Sequence, residues 1–456
     1  MPKVMLHAVI WTRVSGTPQK MGNLVLDQEE ISFTYTEAYI QSGLPGFSLL
    51  GDPQFWEGVS VTYPVSERIR FFPRLISLLP GNGPRNLQRK HYLSILRHLL
   101  GKEPPESIET EWRLLSMAGH GGIGHVDVFE DDQAALDYYG RKRSDIVYTG
   151  KQRSQIWMSL KRDVLDEGEV THSEVIDELI GPTPSVNGMI SKLLVSIDDD
   201  KKNLVIHPSD SEGKRNVVLK IEPPEYRGVL DLEALCLDLH RDPALGFEVP
   251  WFYRYDDPDS ALKFLAIERF DVEDDRPVPL ESLLSIIATG NTAIRESGDI
   301  MLEDIPGIMD TLSEYVILDS GINLELYRRF LMALLTGNGD LHLENLSLLG
   351  GVSDCKLSPV YDPAPMRAWP RHNLVSAISF DREEYHSNGE FFIAFGKRFD
   401  LTKKEIRESI NAVVTATHEY PIQLRKLIAV PPAQVDRLLA IYKQEKSGLL
   451  TALKKL

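Results

Sequence analysis

Phosphoryl transfer asks a protein for a carboxylate that orients a hydroxyl and for groups that hold a metal against phosphate oxygens. The segment Asn338-Gly339-Asp340-Leu341-His342-Leu343-Glu344-Asn345, followed by Tyr361-Asp362-Pro363, supplies those residue types in sequence. Asp340 can orient the hydroxyl, Asn345 stands five residues on, and Asp362 is a second carboxylate for a metal. His342 could serve as a general base by composition, though such a residue more often braces the loop and contacts phosphate. A plainer reading makes Asp340 and Asn345 turn residues beside Gly337 and Gly339.

The flanks fix where these residues must sit. Leu331-Met332-Ala333-Leu334-Leu335 reads as the end of a buried helix, and Leu346-Ser347-Leu348-Leu349 as a strand running into Gly350-Gly351. The chemistry would then lie on a loop held between packed elements. An upstream half adds phosphate-binding parts. The run Ser185-Val186-Asn187-Gly188-Met189-Ile190-Ser191-Lys192 is a small-residue loop with a Lys just beyond it, preceding an apolar strand at 193–197. Backbone N–H groups in such a loop can approach phosphates, and the Lys adds a point charge. It is not a Walker motif, because the spacing and the second Gly are missing. Lys220 stands in the apolar strand 216–221, where a Lys is rare unless its charge is paired, and Glu233 on the following apolar helix is a candidate partner. The alternative is a Lys whose stem snorkels to the surface. The strand 264–271 ends in charge at Glu268-Arg269-Phe270-Asp271, a crossing point that could offer backbone hydrogen bonds to a purine.

In this order the motifs resemble the HipA-type toxin serine/threonine kinases of bacterial toxin–antitoxin modules, over most of the chain. Residues 112–128 are similar to the helix–loop–strand that closes the family's N-terminal subdomain. The resemblance implies that Asp340 is the catalytic Asp and that Asn345 and Asp362 are magnesium ligands. It implies that Lys192, closing a phosphate loop that contains Gly188, and the strand Lys220 contact phosphates, that Glu268 and Phe270 hold adenine, and that Tyr361 flanks the nucleotide site. Ser185 matches the family's autophosphorylated serine, with Thr183 beside it, whose modification ejects the phosphate loop and switches the kinase off. The implied cofactors are ATP and Mg2+. The implied partners are a small DNA-binding antitoxin and a cytosolic protein substrate, such as a tRNA synthetase or another translation factor.

Two positions depart from the family pattern. A Lys usually precedes the catalytic-loop Asn, and here Glu344 does. One charge pair at ~4 Å is worth about 4 kcal/mol at intermediate dielectric, so this exchange matters beside a phosphate. After Asp362, Pro363-Ala364-Pro365-Met366 lacks the small hydroxyl residue often found there. A pseudokinase that binds ATP, and a small-molecule phosphotransferase with the same Asp–Asn–Asp arrangement, therefore stay open as alternatives.

The expected fold class is α+β: a two-lobed protein-kinase-like fold with an extra β-rich N-terminal subdomain (1–130), a nucleotide-binding N-lobe (131–271) and an all-α C-terminal lobe (272–456). The 456 residues suffice for two or three domains, and 42% hydrophobic with 26% charged residues is ordinary for a globular protein. A net charge of −17 disfavours direct nucleic-acid binding and suits a basic partner. Two cysteines imply neither a disulfide framework nor a cysteine zinc site. No apolar run is long enough to span a membrane, and the start reads as a first strand rather than a signal peptide, so a cytoplasmic location is expected. Gly119-His120-Gly121-Gly122-Ile123-Gly124 matches the dinucleotide fingerprint in letters only. The fingerprint needs a strand before and a helix after, whereas here the order is reversed, so these glycines are expected in turns and His120 and His125 in structural roles.

Overall fold

Apolar, β-branched and aromatic residues run through Leu6–Thr12 (β1), Gln19–Leu26 (β2), Glu30–Tyr35 (β3), Ser60–Pro64 (β4) and Asp127–Phe129 (β5), and these pair in the order β4-β3-β2-β1-β5. Alternation along β3 buries Ile31, Phe33 and Tyr35 on one face. That face packs with Leu75, Trp112, Leu114 and Leu115 into one apolar core. Leu87–Leu100 (α1) and Ile108–Ala118 (α2) supply the helical side of this layer. α2 starts where Ser107 accepts the N–H of Thr110, a side-chain cap on an otherwise orphan donor.

A second sheet has the order β7-β6-β8-β10-β9, from Ser191–Ile197 (β6), Ile206–Pro208 (β7), Arg215–Ile221 (β8), Phe252–Asp256 (β9) and Lys263–Glu268 (β10). Its neighbours are antiparallel, with Leu265 opposite Lys220.

The computed structural model describes residues 5–27, 30–56, 60–64, 71–82, 86–140, 190–198, 204–211, 213–258, 260–381 and 383–456. The chain divides into two compact units. The first takes in 1–224, 252–281 and 288–292 and holds both sheets. The second takes in 225–251, 282–287 and 293–456. It is built on Val229–His240 (α3), Ile305–Ser313 (α4), Ile322–Thr336 (α5), Asn388–Arg398 (α6), Lys403–Ala416 (α7), Tyr420–Leu424 (α8) and Pro432–Leu453 (α9). α7 opens on a capping box in which Thr402 and Glu405 satisfy each other's backbone N–H. The unit is not purely helical: Ser347–Leu349 (β11) and Lys356–Leu357 (β12) form a short hairpin, Leu348 opposite Leu357.

Each unit buries a histidine whose charged form burial disfavours. His125 meets the Gly46 carbonyl at 2.9 Å, and burial, with Arg74 nearby, lowers its pKa to about 3. His240 meets the Cys236 carbonyl at 2.6 Å, and burial lowers its pKa to about 4. Both native values lie below the unfolded value near ~6.5, so the unfolded chain gains protons first as pH falls. Stability is then complete above about pH 6.5 and declines toward pH 4, by up to ~2.7 kcal/mol per pH unit where both sites differ. Urea midpoints measured from pH 7 to 4.5 should fall across that window; a flat profile would show that the two imidazoles are not held neutral.

Candidate active site

In the first unit, β6 and β8 place Lys192 directly opposite Lys220, and both are buried. Opposed residues of an antiparallel pair share a face, with Cβ atoms ~5 Å apart. Lys220 is thus an inward-facing residue and not a snorkelling one. Ser185, Thr183 and Gly188 lie outside the described residues. Glu233 is fully buried on α3, which belongs to the second unit.

β10 ends at Glu268, opposite Val217, and the Glu268 carboxylate is held by the Arg215 guanidinium of β8. The side chain is thereby held at the end of a strand that lies between β8 and β9. Phe270 is half-buried just beyond it.

The next residues form a buried latch within the same unit. Asp271 accepts from Arg269 Nε at 3.0 Å and Nη2 at 2.7 Å, and from the Gly124 N–H at 2.7 Å. Arg269 Nη2 also donates to the Gly122 carbonyl, and the Arg269 N–H to the Asn216 carbonyl at 2.9 Å. The loop 119–124 therefore joins the N-terminal subdomain to the end of β10. Gly124 has φ +82°, which favours glycine, and a Cβ there would displace the Arg74 guanidinium 2.7 Å away. The loop follows α2 and precedes β5, and His120 stacks on Phe129 at 4.6 Å. These are structural roles.

In the second unit, α5 ends at Gly337 with φ +82°, a left-handed cap that turns the chain sharply. A Cβ on Gly339 would lie 2.0 Å from the Leu374 carbonyl, so only glycine lets the loop lie this close. Asn338 Oδ1 accepts the Asp340 N–H at 3.1 Å, and Asn345 Nδ2 donates to the Asp340 carbonyl at 3.3 Å. The backbone on both sides of the Asp340 side chain is thus braced by the two asparagines of its own motif. Ser297 Oγ accepts the Leu343 N–H at 2.7 Å. His342 Nδ1 lies 3.4 Å from a Glu344 carboxylate oxygen, and the Glu344 side chain is 45% exposed.

The Asp362 segment is tied to this loop. Tyr361 OH donates to the Glu344 carbonyl at 2.6 Å, which leaves Ser347 Oγ to donate to Tyr361 at 2.6 Å. Asp362 itself has φ +53°, a left-handed conformation uncommon for a residue with a side chain and one that clusters at functional sites. Tyr361 and Pro363, on either side of it, line the same small cavity as Asn338, Asn345, His240 and Arg329. The structure thus brings Asn338, Asp340, His342, Asn345 and Tyr361 together.

Two buried arginines support the loop from behind. Arg329 on α5 is bonded to Glu325 and to the Ser358 carbonyl. The Arg367 N–H donates to the Gly337 carbonyl at 3.1 Å, and its guanidinium meets Glu445 at 3.3 Å. Glu445 also accepts from Asn388 at 2.9 Å and 3.1 Å. Sequence reasoning missed this support and the Arg269–Asp271 latch. The only signal for the latch was charge at the end of an apolar strand.

The donor set suits a hard cation bound partly through a ligand. Among the described residues no three His, Cys, Asp or Glu side chains gather as a metal site. Mg2+ is commonly held by one or two carboxylates plus substrate phosphates and waters. Asp362 and Asn345 would hold it here.

Comparison with known proteins agrees with this architecture. Residues 184–420 match the family model for the HipA-like C-terminal domain. A Haemophilus influenzae protein named as a kinase is 24% identical over 287 residues, 57% of this chain and 80% of that one. A similarly named Sinorhizobium fredii protein is 25% identical over 281 residues, 59% of this chain and 62% of the relative. The solved structure of a Shewanella oneidensis complex of HipA, HipB and operator DNA superposes with TM-score 0.63 at 16% identity, covering 98% of this chain and 97% of that one. The fold is α+β and kinase-like, with two lobes, and the chain belongs to the HipA-like family.

Proposed function

We propose that this protein is an ATP- and Mg2+-dependent serine/threonine protein kinase that acts as the toxin of a toxin–antitoxin module. The observation that carries the reading is the braced Asp340, held by Asn338 and Asn345 in a loop that Tyr361 ties to Asp362. Asp340 orients the hydroxyl of the acceptor and takes up its proton as transfer proceeds. The two opposed lysines, Lys192 and Lys220, hold the nucleotide phosphates. The end of β10 from Glu268 to Phe270 lies along the adenine. Asn345 and Asp362 would hold Mg2+, which would supply charge to offset that of the phosphates. His342 steadies the loop, leaning on Glu344.

The fold likeness to the Shewanella oneidensis HipA, seen with HipB and operator DNA, supports a small DNA-binding antitoxin as partner. The net charge of −17 fits a basic partner of that kind and a kinase that does not itself bind nucleic acid. No helix among the described residues is long and apolar enough to cross a membrane. A cytosolic protein, such as a tRNA synthetase or another translation factor, is the proposed substrate class. Ser185, or Thr183 beside it, is the proposed autophosphorylation site. Adding ~−2 charge there would repel the nucleotide and unseat the phosphate loop. Phosphosite mapping after incubation with ATP and Mg2+ should find phosphate at one of these positions; an active enzyme with neither modified would remove autoregulation from the proposal.

Glu344 favours a second reading, a pseudokinase that binds ATP and acts through its partner. If its carboxylate opposes the γ-phosphate, Glu344→Lys raises turnover at low Mg2+, tenfold for each ~1.4 kcal/mol of repulsion relieved. Glu344→Gln should fall between. A loss of turnover would instead assign Glu344 to metal or substrate. No activity in wild type or either variant would favour the pseudokinase.

A further inference from the structure

We infer that the groove between α8 and α9 is a docking surface for an acidic amphipathic helix of a partner protein. The groove encloses about 700 Å³ and carries Arg425, Lys443, Lys446 and Lys454 with no Asp or Glu among its lining residues. On a chain with 67 acidic and 50 basic residues, such a one-signed stretch is against the average. The four cations also differ from their neighbours. Lys455 pairs with Glu390 and Lys404 with Glu408. Among the described residues, no carboxylate pairs with any of the four. Arg425 reaches only the Pro421 carbonyl at 3.1 Å, and Lys446 lies over the Tyr442 ring, 5.3 Å from its centroid.

The spacing sets the shape of the occupant. Leu439, Lys443, Lys446, Leu450 and Lys454 recur every three or four residues, so they form one stripe along α9 and its C-cap. At ~1.5 Å per residue the stripe is roughly 22 Å long, the length of a four-turn helix. Two leucines and three lysines share the stripe, which matches a helix carrying both apolar and acidic positions. A nucleic acid is the poorer fit. Its phosphates gain nothing from leucines, and a long polyanion meets the repulsion of the whole acidic chain beyond the groove. A short acidic helix places its few charges within a Debye length of ~8 Å of the lysines.

The test uses the whole 456-residue chain without ATP, so its outcome does not depend on the kinase reading. The probes are a fluorescent helical peptide of roughly 16 residues with Leu and Glu at this repeat, the same peptide with Lys for Glu, and a DNA duplex of similar length. Fluorescence anisotropy should show the Glu peptide binding, the Lys peptide not, and at least a tenfold loss in Lys443→Glu/Lys454→Glu. Lys443→Gln/Lys454→Gln should lose less and, being neutral at exposed sites, keeps the test valid if charge reversal disturbs folding. The inference is overturned if the Glu peptide does not bind wild type. It is also overturned if binding is unchanged in both double variants, or if the duplex binds more tightly than the peptide with the same sensitivity.

Discussion

Asp340→Asn should lower phosphoryl transfer by about 10²–10⁴ while ATP still binds within a few fold of wild type, because a positioned general base contributes to rate and not to nucleotide affinity. The substitution is close to isosteric, so the braces from Asn338 and Asn345, which bond the backbone of residue 340, stay in place. Asp362→Ala should behave differently, weakening Mg2+-dependent ATP binding directly, since the lost group is a proposed metal ligand. Turnover and nucleotide titration measured on both variants separate the two roles. Equal turnover in wild type and Asp340→Asn would remove Asp340 from the chemistry.

The second large effect is on stability. Arg269 and Asp271 are 3% and 2% exposed, and Asp271 also holds the Gly124 N–H. Asp271→Ala leaves the guanidinium buried with its remaining polar contact at Gly122 and Asp210 4.0 Å away. Removing one partner of a buried pair typically costs about 3–5 kcal/mol. Replacing both residues by Leu should cost less than Asp271→Ala alone, because no charge is left uncompensated. Urea denaturation of the single and double variants tests this. A loss under ~1 kcal/mol for Asp271→Ala would mean that the latch is not dry. Because the latch anchors the end of β10, Asp271→Ala should also raise the KM for ATP more than it lowers kcat.

The parts legible in the sequence are those whose chemistry is local. Asp340, His342 and Asn345 fall within one short loop, where two glycines and the end of an apolar helix already dictate a turn. Lys220 stands out because an apolar strand leaves few reasons for a cation. The order of glycines 119–124, after a helix and before a strand, was enough to place them in turns. Pairings across long separations left no such trace. Arg269 meets Gly122 across 147 positions, and Arg367 meets Glu445 across 78; no local pattern links such residues. The register that sets Lys192 opposite Lys220 depends on which strands pair, a tertiary choice that neither strand encodes alone. The hairpin of β11 and β12 interrupts the helical unit because Leu348 and Leu357 bury their side chains against it, a non-local gain.

The central claim is that this chain moves a phosphoryl group from ATP to a protein hydroxyl. Its most direct test is incubation of the purified protein with γ-labelled ATP and Mg2+, alone and with cell lysate, followed by identification of the labelled residue type. The account predicts label on serine or threonine of protein, dependent on Mg2+ and absent with Asp340→Asn. Nucleotide that binds while no protein becomes labelled, or label that appears only on a small molecule, would contradict it.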